Sequence, residues 1–220
     1  MDSEWPPAPP EGYRKHDPEY VQPWYVTAAL AGWFGGMFVA VPVLVVFLKG
    51  PETAIRLAYA VFRHENYTEW VVYLVWVLGM VGLLGVVHES IHALCSRWFG
   101  FRVKFGIEYS NLVNLTPTTL TYGGFQSRGQ SLAIALAPLV VLTPISIIVL
   151  VVSTDFWIQA SAVFIALGNT VGSMADLGKA WMIWKLPAGE LTVHDREGRQ
   201  QYYTPMNEVK TVYRRTVIES

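Results

Sequence analysis

Between Tyr25 and Leu48 the chain carries no charged residue. As a helix rising roughly 1.5 Å per residue, this stretch is about 36 Å long, enough to cross a hydrocarbon layer of about 30 Å. Three similar runs follow: from near Glu69 to Phe99, from about Ser131 to Val152, and from Trp157 to about Trp184. A backbone in lipid must satisfy its own hydrogen bonds, which restricts it to helices or a closed barrel, and continuous apolar runs of this length are helical. The expected fold is therefore an all-α integral membrane protein of four transmembrane helices, with membrane lipid as its surroundings. Hydrophobic residues make up 52% of the chain and charged residues 15%, and the apolar residues come in blocks rather than stripes. A net charge of −1 gives no electrostatic case for nucleic acid. The single cysteine, Cys95, excludes an intrachain disulfide and a Cys-rich zinc module.

Glycine, proline and charge punctuate these runs. Gly32, Gly35 and Gly36 allow close helix contact in the first span, Pro42 kinks it, and Lys49-Gly50-Pro51 ends it. Residues 51–69 read as an amphipathic interfacial segment, with Ala54, Leu57, Ala58, Val61 and Phe62 opposite Arg56 and Arg63. Residues 100–130 hold no spanning run. Arg102–Tyr109 and Thr118–Tyr122 have β character, so this part is either a short hairpin at the interface or a connecting loop. Pro138 and Pro144 bend the third span. The turn at Ser153-Thr154-Asp155 makes the third and fourth spans antiparallel neighbours. Leu191–Asp195 and Gln200–Tyr203, separated by Arg196-Glu197-Gly198-Arg199, read as a small hairpin outside the bilayer. The expected organisation is a flexible N-terminal tail at 1–24 with Pro-Pro pairs, a membrane domain at 25–185, and a C-terminal tail at 186–220.

Lysine and arginine set the expected orientation. Arg14, Lys15, Arg97, Arg102, Lys104, Arg128 and Lys185 fall on one side, against Lys49, Arg56 and Arg63 on the other. The excess marks the cytoplasmic side, which places both termini of a multi-pass cell-membrane protein in the cytoplasm.

The second span contains His88-Glu89-Ser90-Ile91-His92, an H-E-x-x-H pattern. On a helix both imidazoles lie on one face, able to reach one Zn2+, and Glu89 is placed to take a proton from an activated water. Such polar groups are costly in an apolar span unless something binds or pairs with them. A catalytic zinc site takes three protein ligands and keeps one position open. The fourth span offers Asp176, on the same helical face as Asn169, Gly172 and Ser173. Counting from Trp98 and Trp184 at roughly 1.5 Å per residue, His92 lies about 9 Å deep, Asp176 about 12 Å and His88 about 15 Å. The two spans run the same way, so the three can meet. Asp176 has an alternative partner in Lys179, one turn on. His64, His194 and Glu108 are weaker candidates for the third ligand. Asn169 and Ser173 are candidate substrate-binding groups, although Asn169 could equally satisfy a neighbouring helix.

A four-span chain with His88-Glu89-x-x-His92 on one span and Asn169, Gly172-Ser173 and Asp176 on a later one resembles the zincin peptidase family of bacterial and archaeal membrane proteins. The resemblance covers about residues 70–205 and extends distantly to site-2 proteases. It implies His88, His92 and Asp176 as zinc ligands and Glu89 as the catalytic carboxylate. In site-2 proteases the second motif contains Pro and ends Asp-Gly, whereas Leu177 follows Asp176 here. The expected function is a membrane-embedded zinc metallopeptidase acting on a peptide or membrane-protein substrate, with residues 100–124, if a hairpin, able to take it up as an added strand. The alternatives are a non-catalytic metal-binding membrane protein or a small ion or proton transporter. The sequence sets no oligomeric state.

Overall fold

The computed structural model describes residues 8–16, 24–62, 66–109, 115–194 and 200–206. Four helices are long and apolar enough to cross a membrane: α1 (Trp24–Lys49), α3 (Tyr67–Trp98), α4 (Arg128–Val152) and α5 (Phe156–Lys185). A short helix, α2 (Pro51–Phe62), follows α1 where the amphipathic segment was expected. The strands are β1 (Tyr13–His16), β2 (Arg102–Tyr109), β3 (Leu115–Tyr122), β4 (Gln126–Ser127), β5 (Leu191–His194) and β6 (Gln200–Pro205). Residues 100–130 thus hold a true hairpin: β2 and β3 pair antiparallel from Arg102 opposite Tyr122 to Tyr109 opposite Leu115. The Pro-rich stretch Trp5–Pro7, His64 and the turn Arg196–Arg199 lie outside the described residues.

Contacts divide the chain into two units. One comprises residues 1–22, 92–135 and 178–220; the other comprises 23–91 and 136–177.

The first unit holds both sheets. The larger one has the order β1-β6-β5-β4, with every pairing antiparallel. β1 comes from the stretch expected as a tail, and β4 is two residues long; both add to the hairpin of β5 and β6, and the fold remains the expected helical one with a few small strands. Ser131 on α4 is hydrogen-bonded to Gln126 and Thr192, which ties the start of that helix to the sheet. Just past the end of α3, Gly100 has a φ of 85°, a left-handed turn that closes the helix. Phe101 N–H reaches back to the Ser96 carbonyl and Gly100 N–H to that of Arg97, and the chain leaves directly into β2. The buried Ser96 hydroxyl then pairs with Thr121 on β3, 2.9 Å away.

The second unit is helical. α3 and α5 run the same way within it: Trp76 packs on Phe164, Leu84 abuts Gly168, and His88 meets Asn169 and Asp176 further along both. A Cβ at Gly168 would lie 2.5 Å from a methyl of Leu84, so a larger residue here makes the Leu84 side chain turn aside. Helix ends are capped by local side chains. Asn66 accepts from Glu69 N–H and donates to its carboxylate, and Asp155 accepts from Ile158 N–H. The Lys49 ammonium, at the end of α1, donates to the carbonyls of Val151 and Ser153. Hydroxyls in the apolar helices bond back to the preceding turn, as Ser90 does to Val86 and Thr170 to Ala166.

Candidate metal centre

His88, Glu89 and His92 project from consecutive turns of α3, with their ligand atoms within 4.8 Å of one another. Both imidazoles are buried and Glu89 is partly exposed. A divalent cation suits this donor set, which is two imidazoles and a carboxylate on one helical face.

Each imidazole is held by its other nitrogen. His92 Nδ1 lies 2.7 Å from the Ile134 carbonyl. A carbonyl only accepts, so Nδ1 is the donor here and Nε2 is the nitrogen left to face a metal. Within a regular helix that carbonyl would receive the N–H four residues later, but residue 138 is proline and has none. Pro138, expected only to bend the third span, thus leaves an acceptor that His92 uses.

His88 is fixed by Asn169, which is 0% exposed. Asn169 Nδ2 donates to the Pro138 carbonyl at 3.1 Å and to Thr143 Oγ1 at 3.2 Å. Because the Pro138 oxygen cannot donate, the amide orientation is settled: its NH2 faces α4 and its oxygen faces His88 Nδ1, 3.0 Å away. His88 Nδ1 is therefore a donor. Both polar atoms of Asn169 are engaged in this way, between His88 on one side and α4 on the other.

His88 Nε2 lies 3.0 Å from Asp176 Oδ2. Both are buried, at 8% exposure for His88 and 7% for Asp176. With the ring proton on Nδ1, this contact sets a lone pair against a carboxylate. It closes around a proton, on Nε2 or on the carboxyl oxygen, or around a cation shared by both atoms. Gly172 packs beside the ring, where a Cβ would lie 3.7 Å from the imidazole, an ordinary van der Waals contact.

The sequence-derived residues separate accordingly. His88, Glu89 and His92 group on α3, and Asp176 and Asn169 both contact His88. Ser173 is 1% exposed with no hydrogen-bond partner for its hydroxyl among the described residues. The roles of Ile134 and Thr143 were missed. The signal for Ile134 was a proline four residues on, while nothing local marks Thr143.

A family model described as "Putative zincin peptidase" matches residues 81–191, which include the H-E-x-x-H turn, the β2–β3 hairpin and Asp176. Neither a curated protein nor a solved structure matches the chain.

Proposed function

Because this chain belongs to that zincin peptidase family, we propose that it is a membrane-embedded zinc metallopeptidase, with His88, His92 and Asp176 as ligands and Glu89 as general base. One observation carries the reading: His88 Nε2 faces Asp176 Oδ2 at 3.0 Å while the Asn169 oxygen accepts a hydrogen bond from Nδ1. A cation resolves that contact, and outer hydrogen bonds of this kind are how ligating histidines are held.

Zinc bound there supplies Lewis acidity and lowers the pKa of a bound water towards about 7. The protein's own groups do the rest. Asn169 and the Ile134 carbonyl hold both rings in the tautomer that offers Nε2. Glu89, one residue from His88 and less buried, takes the proton of the attacking water and returns it to the leaving amine nitrogen. The substrate is a peptide or a membrane-protein segment in extended form. β2 and β3 form a two-stranded sheet with no third strand among the described residues, and an extended chain can join such an edge. Arg14, Lys15, Arg97, Arg102, Lys104, Arg128 and Lys185 all belong to the first contact unit, which supports both termini and the tails facing the cytoplasm of a multi-pass cell-membrane protein.

A protonated His88–Asp176 ion pair would instead suit a proton carrier. Zinc content and cleavage of a membrane-protein substrate separate the two. Glu89→Gln keeps the metal and loses cleavage by about 100-fold or more, the range of a general base. Asp176→Asn lowers the metal content. Equal cleavage by wild type and Glu89→Gln removes the peptidase reading, and absence of bound zinc at saturating metal favours the proton carrier.

A further inference from the structure

The helical unit contains a cavity of about 450 Å³ that the metal centre does not use. Its walls come from four helices: Pro42 of α1, Leu57 of α2, Trp76 of α3, and Phe156, Phe164 and Leu167 of α5. Trp76 braces it, packed edge-on against Phe164 at 5.5 Å and tilted on Trp157 at 6.0 Å. An apolar cavity of about 150 Å³ stays dry and takes up benzene. This one is three times larger, and water inside would find few partners. From Phe156 to Leu167 it follows α5 for about 16 Å at 1.5 Å per residue, so its shape suits a chain rather than a compact ring.

A cation lies beside one of the lining rings. The Arg56 guanidinium lies 5.8 Å over the Phe156 ring and forms no ion pair with a described carboxylate. Asp155 is nearby in sequence, but its carboxylate caps α5 through Ile158 N–H. The Lys49 ammonium is taken up by the Val151 and Ser153 carbonyls. One available cation above a long apolar slot is complementary to an anionic amphiphile, and the solvent around spanning helices supplies one. We propose that this cavity binds one acyl chain of an anionic phospholipid, with the lipid phosphate on Arg56. The site is independent of the peptidase reading and stands or falls without it.

The test uses full-length protein in nanodiscs of phosphatidylethanolamine and phosphatidylglycerol in equal parts, with retained lipid counted by native mass spectrometry. Wild type should keep one phosphatidylglycerol per chain after bulk lipid is stripped. Arg56→Gln should lower the preference for phosphatidylglycerol about fivefold, the effect of one basic group near a lipid headgroup. Ala160→Phe and Ala54→Leu, which fill the slot from α5 and α2, should abolish retention, and the second stands in if the first does not fold. The proposal is overturned if wild type keeps no lipid beyond bulk, if it keeps the two lipids equally, or if the folded slot-filling variants retain lipid as wild type does.

Discussion

Replacing Asn169 by Leu tests whether His88 is oriented or merely packed. Leu has nearly the same size but removes three hydrogen bonds, to His88 Nδ1, the Pro138 carbonyl and Thr143 Oγ1. Thr143 can turn its hydroxyl back to the preceding helical turn. The His88 N–H cannot recover a partner at a site that is 0% exposed, whereas the Pro138 carbonyl keeps the helical N–H of Leu142, four residues on. At roughly 1–3 kcal/mol for a buried group left unsatisfied, the metal-free protein should lose about that much. Freed of its acceptor, His88 can rotate or change tautomer, which should cost about 10- to 100-fold in zinc affinity. Asn169→Asp separates the two effects. It keeps an acceptor for His88 but sets an oxygen against the Pro138 carbonyl, so stability should fall while zinc affinity holds to within about tenfold. Affinity is read by competition with a fluorescent chelator in micelles, and stability by thermal unfolding followed in the near-ultraviolet. Should Asn169→Leu melt lower yet bind zinc within about twofold of wild type, the orienting role is refuted and Asn169 is a structural hydrogen-bonding group alone.

Pro138→Ala restores the N–H that competes for the Ile134 carbonyl. The metal-free fold should gain up to about 3 kcal/mol from the repaired helix while zinc affinity drops about tenfold, and a variant improved or unchanged in both would contradict the role given to His92. Gly168→Leu should break the approach of α5 to α3 and lower the melting temperature, and Leu84→Ala should restore part of the loss; no rescue in the double variant would mean that the clash lies elsewhere. Burial, with the carboxylate of Glu190 adding to it, pushes the Tyr202 phenol above its usual range. A raised phenol favours the neutral form in the fold, so its contribution is complete below pH about 10 and is lost as pH rises through the raised value. Tyr202→Phe should flatten that alkaline loss in a melting-temperature profile, and an unchanged profile would show that Tyr202 does not cause it.

The spanning helices were legible because lipid permits so few backbone solutions. The expected first span, Tyr25–Leu48, differs from α1 by one residue at each end. Asp176 was legible for a related reason, since a lone carboxylate in an apolar run must answer to something, and it lies against His88. Of the larger sheet only the β5–β6 hairpin was legible. Tyr13–His16 and Gln126–Ser127 have no strand pattern of their own and become strands only by pairing with β6 and β5, which lie far along the chain. The amide of Asn169 was ambiguous for the same reason: its bonds run to α3 and α4, and only their arrangement shows which atom faces which helix. Pro138 could have been read further than it was, because a missing N–H implies a spare carbonyl four residues earlier.

The most direct test of the central claim is zinc K-edge absorption on the zinc-loaded protein, with metal content determined in parallel. The account predicts one zinc per chain, two imidazole nitrogens and oxygen ligands at about 2.0–2.2 Å, no sulfur, and loss of one imidazole in His92→Ala. Asp176→Asn should weaken the site without removing either imidazole. A zinc sphere lacking imidazole, or one untouched by both substitutions, would contradict it.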